Sequence, residues 1–163
     1  YKKWCKVVGS GKNREGIMFL GEYQHSLDNK NRLIIPARFR DNMGLNCIIT
    51  LGLDGCMFLF PQKEWQKLTD KLSELSLARK DARLFSRFFF SNASDVFFDK
   101  QGRIQVPLRL TKKLDFNKEV VIIGVGNRLE LWDKEKWNDF CSDEGENSYE
   151  QLAELIADMG LPL

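Results

Sequence analysis

The chain's 163 residues are 43% hydrophobic, 12% aromatic and 29% charged, with a formal net charge of +2. This suffices for one compact domain or two small coupled ones without disulfide or metal staples, and it argues against wholesale disorder. No apolar run approaches the roughly 20 residues of a membrane helix, so no membrane partner is expected. In chain order, residues 1–17 come first, with Lys2, Lys3, Lys6, Lys12 and Arg14 against Glu15, a balance of +4 that leaves the remainder at −2. They lack the apolar centre of a signal peptide and read as a leader or appended extension ahead of Met18. At the other end, Glu130 to Asp158 holds ten acidic residues and two lysines. Overall charge is therefore weak evidence for a nucleic-acid partner, and any basic face has to be local.

An extended run, Phe19 to Leu27, leads to Asp28, and the stretch from Asp28 to Phe39 recurs at Asp99 to Leu110. Asp28/Asp99, Arg32/Arg103, Pro36/Pro107 and Arg38/Arg109 match 71 positions apart, with Leu33/Ile104 and Ile35/Val106 as apolar matches. The aspartates suit Asx-type turns, accepting from backbone N–H groups two residues on. Asn31 and Gly102 hold the same place, and both tolerate a left-handed conformation. Each Asp-x-x-x-Arg thus reads as a hairpin tip with arginine at its exit. Pro36 and Pro107 end the next strand and open a short helix with apolar and basic sides. A second hairpin follows in each copy, turning at Gly52-Leu-Asp-Gly55 and Gly124-Val-Gly-Asn127. Here Gly52/Gly124, Phe60/Trp132 and Trp65/Trp137 match 72 apart, one residue more.

Helices are expected from near Pro61 and from Asp133, a good N-cap. Gln62 to Ser91 has helical spacing at Leu68, Leu72 and Leu75, then at Leu84, Phe85, Phe88 and Phe89, and should pack on both copies. Ser148 to Met159 reads as a terminal helix ending at Gly160. The expected fold is α+β: two tandem modules at 22–65 and 93–137, a helical connection at 66–92 and an acidic helical segment at 138–163.

The four cysteines, Cys5, Cys47, Cys56 and Cys141, form no C-x-x-C pair, and one histidine, His25, cannot complete a zinc set. No Ser/His/Asp or Cys/His set can be assembled either. Gly124-Val-Gly126 lies in an expected hairpin and lacks the strand–turn–helix context of a phosphate loop. We expect free thiols, no metal, no cofactor, no small-molecule substrate and no catalysis. Phe88 to Phe90, Trp65, Trp132 and Trp137 are read as core or subunit contacts.

The run Met18-Phe-Leu-Gly-Glu-Tyr-Gln-His-Ser-Leu-Asp-Asn-Lys-Asn-Arg-Leu-Ile-Ile-Pro-Ala-Arg-Phe-Arg40 closely resembles the opening of the MraZ family. Asp99-Lys-Gln-Gly-Arg-Ile104 with Pro107 resembles that family's second AbrB-like module, and the resemblance holds in order and spacing from Met18 to about Gly160. It implies two SpoVT/AbrB-like swapped-hairpin modules, a ring-like homo-oligomer and a transcriptional regulator at the head of a bacterial division and cell-wall gene cluster. The implied partner is double-stranded DNA, at promoter direct repeats upstream of that cluster, and the implied location is cytoplasmic and nucleoid-associated. Asn31 departs from the glycine usual there.

Local charge agrees with a DNA partner. Asp28 to Arg40 carries Lys30, Arg32, Arg38 and Arg40 against Asp28, and Asp99 to Lys113 carries Lys100, Arg103, Arg109, Lys112 and Lys113 against Asp99. We expect Arg32 and Lys30 to contribute most, Arg38 and Arg40 to meet phosphates, and Lys100, Arg103 and Arg109 to act likewise in the second module. Asp28 and Asp99 should brace the turns. The competing reading is an antitoxin-like or structural ring that binds protein, with Asp-x-x-x-Arg only an ion pair closing a turn.

Overall fold

The computed structural model describes Gly16, residues 18–143 and residues 146–160; apart from Gly16, the expected leader lies outside the described residues. The first copy runs β1 (Phe19–Ser26), β2 (Arg32–Ile34), α1 (Ala37–Met43), β3 (Asn46–Leu51), β4 (Met57–Pro61), α2 (Gln62–Ser73) and α3 (Lys80–Ser91). The second runs β5 (Ser94–Phe97), β6 (Arg103–Gln105), α4 (Leu108–Lys113), β7 (Glu119–Gly126), β8 (Leu129–Asp133), α5 (Lys134–Asp143) and α6 (Glu146–Asp158). The expected helical stretch from Gln62 to Ser91 is therefore two helices. The Ser73 hydroxyl donates to the Asp70 carbonyl and the Ser76 hydroxyl accepts from the Ala78 N–H, local bonds that compete with helix continuation. Asp133 caps α5 as expected, accepting from the Glu135 and Lys136 N–H groups at 3.0 and 3.2 Å.

The two copies interlock. β1 pairs antiparallel with β7 of the second copy and β5 pairs with β3 of the first, giving a six-stranded sheet in the order β1-β7-β8-β4-β3-β5. β2 and β6 pair with each other as a separate two-stranded ribbon. In the ribbon Leu33 faces Ile104, its own counterpart 71 positions on, and in the sheet Phe58 faces Glu130, 72 positions on. A pseudo-twofold axis passes through both pairs.

Two expectations are corrected by this pairing. The Asp-x-x-x-Arg turns form, but neither is the tip of a local hairpin, because the strands on either side of each turn pair with different strands of the other copy. Burial explains the choice: pairing β2 with β6 brings Leu33, Ile35, Ile104 and Val106 together in the core, each no more than 2% exposed. The second-hairpin register also differs. Leu51 faces Met57 while Gly124 faces Leu129, so Leu51 and not Gly52 is the counterpart of Gly124. The first connection uses residues 52–56. The second is a tight Gly126-Asn127 turn, closed by the Val125 N–H on the Arg128 carbonyl at 2.9 Å, with Gly126 at φ +70°. A positive φ at the first of two loop residues suits the twist of the flanking strands.

The strands alternate between two cores, the period-2 pattern of a sheet covered on both faces. Ile49, Met57, Leu59, Val120, Ile122, Leu129 and Leu131 pack on one side with the ribbon and with Phe39, Met43 and Leu110 of the short helices. Phe58, Phe60, Val121 and Trp132 point to the other side, under Trp65 and Phe89 of α2 and α3 and Trp137 of α5. The helical layer thus touches strands of both copies, and the ribbon lies on the opposite side of the sheet.

Gly21 faces Gly124 across β1 and β7, and a Cβ at Gly124 would lie 2.5 Å from the Leu20 nitrogen and the Phe19 carbonyl carbon. Backbone cannot yield there as a side chain can. Gly124→Ala is expected to lower unfolding free energy by about 2–3 kcal/mol. Gly126→Ala, which has open space around it and strains only φ, is expected to cost about 1 kcal/mol. Urea denaturation of the two variants checks the order.

Candidate nucleic-acid interface

The β2–β6 ribbon carries one Asp-x-x-x-Arg turn beside each strand. Asp28 Oδ1 accepts from the N–H groups of Lys30 and Arg32, both at 2.9 Å, while the Asp28 N–H donates to the Arg32 carbonyl at 3.0 Å. Asp99 repeats this with Gln101 at 2.9 Å and Arg103 at 3.0 Å. Asn31 and Gly102 take the left-handed conformation expected of them, at φ +59° and +76°. The second carboxylate oxygen accepts from the guanidinium: Arg32 Nε lies 2.7 Å from Asp28 Oδ2, and Arg103 Nε lies 2.8 Å from Asp99 Oδ2.

Only the inner nitrogen of each arginine takes part in these short bonds. The Nη atoms of both guanidinium groups make no hydrogen bond among the described residues, and the side chains are half-buried, 29% and 22% exposed. Arg103 Nη1 is also 3.8 Å from Asp28 Oδ2, which links the two turns electrostatically. The carboxyls of Asp28 and Asp99 are held below the usual aspartate range, chiefly by the backbone N–H of Arg32 and Arg103 and then by the guanidinium groups, against an opposing desolvation effect.

Strand alternation sends Leu33 and Ile104 into the core and Arg32, Ile34, Arg103 and Gln105 to the outer face. Arg32 faces Gln105, and Arg103 faces Ile34. Lys30 and Lys100 are both exposed, but they are not counterparts: Lys30 matches Gln101, and Lys100 matches Asn29. On α1, Arg38 is exposed with Nη1 3.5 Å from the Tyr23 hydroxyl. Its counterpart Arg109 is engaged by the fold. Its Nη1 donates to the Ser91 carbonyl at 2.8 Å, and its Nη2 donates to Ser94 Oγ at 2.7 Å and to the Asn92 and Ala93 carbonyls at 3.2 and 3.3 Å. Arg109 thereby fastens the end of α3 to α4. Lys112 and Lys113 stay exposed on α4.

Two contacts between the copies were not foreseen. The Asn31 amide donates to the Val106 carbonyl at 2.8 Å and to Thr111 Oγ1 at 3.3 Å. At the other turn a Cβ on Gly102 would lie 2.3 Å from Arg40 Nη1, so the Arg40 guanidinium lies over that glycine, with its Nε buried and without a hydrogen-bond partner among the described residues. Thr111 stands 71 positions after Arg40. Where the turn has a side chain, the facing residue is short; where the turn has none, the facing residue is long. Asn31 differs from Gly102 as Thr111 differs from Arg40, and this reciprocal difference between the repeats was the available sequence signal.

Two consecutive segments, residues 18–88 and 89–158, match the family model described as "MraZ protein, putative antitoxin-like". The chain belongs to the MraZ family. It is 49% identical over 144 residues to the transcriptional regulator MraZ of Syntrophomonas wolfei subsp. wolfei, covering 88% of this chain and all of that protein. The protein of the same name from Clostridium tetani is 46% identical, and that from Halothermothrix orenii 49%, over the same shares. Each family match takes in one interlocked copy, with the boundary between the matches falling inside α3. Membership makes this chain a DNA-binding transcriptional regulator, and it accords with the expected tandem AbrB-like modules. Among the described residues no helix is long and apolar enough to cross a membrane.

The lowered carboxyl pKa values fix the sign of a pH effect. Such groups stabilise the fold above the ordinary aspartate value of 3.8, and that contribution is lost as pH falls through the lower folded value. The turns are therefore expected to stay intact at pH 5 and to open only below about pH 3.8. Asp28→Asn with Asp99→Asn should weaken the fold at pH 7 and flatten the stability loss between pH 5 and 3, as measured by thermal melts across that range.

Proposed function

We propose that the outer face of the β2–β6 ribbon enters the major groove of double-stranded DNA, with Arg32 and Arg103 directed at guanine. The observation that carries this reading is the matched pair of arginines, each held at Nε by its aspartate and making no hydrogen bond through its Nη atoms among the described residues, although Arg103 Nη1 keeps a 3.8 Å ion pair to Asp28. A two-stranded ribbon fits the major groove, and an arginine fork matches guanine O6 and N7. Asp28 and Asp99 aim the forks in advance, which lowers the ordering cost of binding. Exposed Lys30, Lys100 and Arg38 neutralise phosphates on either side. Arg40 reaches the backbone from beside the Gly102 turn, and Arg109 serves by anchoring α4.

The sites are direct repeats in the promoter upstream of the division and cell-wall cluster that heads with this gene, and the protein acts in the cytoplasm at the nucleoid. One ribbon makes few base contacts, so single-site binding is weak. A ring of copies on spaced repeats gains affinity by effective concentration. Apolar side chains support self-association: Phe85 and Phe88 on α3, Leu152 and Leu155 on α6 and Met159 just past its end are exposed. α3 lies on the side of the sheet away from the ribbon, so assembly through it leaves the DNA face clear.

Gel-shift titration on DNA preceding the gene tests the reading. Arg32→Ala and Arg103→Ala are each expected to weaken binding by about 1–3 kcal/mol per engaged site with loss of sequence preference, while Lys30→Ala weakens all sequences alike and flattens the salt dependence. Unaltered binding by both arginine variants, or equal affinity for shuffled DNA, sinks it. Leu152→Glu with Leu155→Glu is expected to shift the mass seen by light scattering toward the monomer and to lower apparent affinity on repeated sites more than on a single site.

A further inference from the structure

A ribbon with identical halves would present the same contacts at both ends and would read a self-complementary sequence. This one does not have identical halves. On the outer face, next to the pseudo-twofold axis, position 34 is isoleucine and its counterpart 105 is glutamine. Ile34 is 43% exposed, an apolar side chain held on the outer face by strand alternation. Gln105 is exposed too, and its Nε2 donates to the Lys30 carbonyl at 2.6 Å. That bond engages the amide nitrogen and leaves Oε1 as the acceptor of an exposed side chain.

We infer that Ile34 and Gln105 give the DNA element read by one chain a direction. The inference rests on the proposed ribbon reading. Arg103 with Ile34 opposite forms one end, where a guanine is accompanied by an apolar surface suited to the C5 methyl of thymine. Arg32 with Gln105 opposite forms the other end, where the guanine is accompanied by an acceptor suited to an exocyclic amino group, adenine N6 or cytosine N4. The two ends then demand different base steps, and reversing the duplex beneath the ribbon loses both accompanying contacts. The other departures from symmetry do not read bases: the Asn31 amide donates into the second copy, Lys30/Gln101 and Asn29/Lys100 sit in the turns beyond the paired strands, and Arg38 and Arg40, unlike their counterparts Arg109 and Thr111, are assigned to phosphates, which carry no sequence information. A directional unit is satisfied by copies arranged head to tail along DNA and not by inverted ones.

The test is selection from a random duplex library by the full chain, followed by affinities on single-base variants of the selected unit. The wild type is expected to select a unit unlike its own reverse complement, with thymine preferred about tenfold at one position beside a guanine. Ile34→Gln should remove that thymine preference, favour an amino-bearing base there and make the unit more nearly self-complementary. Gln105→Ile should introduce a thymine preference at the opposite end. Both side chains are exposed, so melting temperatures serve as the check on folding. If Ile34→Gln and Gln105→Ile select the wild-type unit while Arg32→Ala abolishes selection, the inference is overturned and the ribbon reading survives. If Arg32→Ala and Arg103→Ala leave selection intact, the ribbon reading fails and the inference fails with it.

Discussion

Pairing between Leu33 and Ile104 holds the architecture together. Neither three-residue strand has another partner, and both residues are fully buried where each repeat meets its own counterpart. A single copy would leave the ribbon edge unpaired and the apolar faces of Leu33 and Ile35 in water, a loss of the order of 2 kcal/mol per side chain. The second copy supplies what the first lacks, and the exchange of β1 and β5 makes the dependence mutual. Duplication within one chain keeps the two halves at high effective concentration, so a structure that would otherwise need two chains forms from one.

The same pairing decides where the arginines point. Because Leu33 and Ile104 are turned inward, the residues on either side of them are turned outward, and no other register keeps the core filled. The aspartates then act at short range. Each accepts two backbone N–H groups and one guanidinium nitrogen, so each turn and each arginine are set by one carboxylate. An ion pair this exposed contributes little stability in itself. Its effect is on geometry, since it removes rotamer freedom from a long side chain without using the outer fork.

Local chemistry was legible in the sequence and long-range pairing was not. Asp28, Asp99, Asn31, Gly102 and Asp133 were readable because each acts within a few residues of itself, and Asx turns, left-handed positions and N-caps are written at fixed short offsets. The repeat itself was readable for the same reason. The strand exchange was beyond such reading, because a hairpin tip and an exchanged strand show the same Asp-x-x-x-Arg and the same alternation; only the burial gained by pairing β2 with β6 separates them. The turn at Gly126 was misplaced because matching Gly52 to Gly124 hid a change in loop length. Arg109 and Arg38 looked alike in sequence and differ in the structure because only Arg109 has the end of α3 beside it.

Asymmetry between the halves has a consequence for how such a protein can diverge. A perfectly repeated chain would hold Gly, or Asn, at both turns and the same residue at positions 40 and 111. Here the turn and its facing residue differ between the halves in opposite senses, Asn31 with Thr111 and Gly102 with Arg40, while the inner faces of the ribbon are both apolar, Leu33 and Ile104. Core positions on the axis tolerate little change because each packs against its own counterpart, so an exchange at one disturbs both halves. Outer-face positions such as Ile34 and Gln105 lie outside that core, and the bond Gln105 makes across the copies goes to a main-chain carbonyl rather than to a counterpart side chain. They are free to differ, and differences there alter what the ribbon presents without loosening what holds it together.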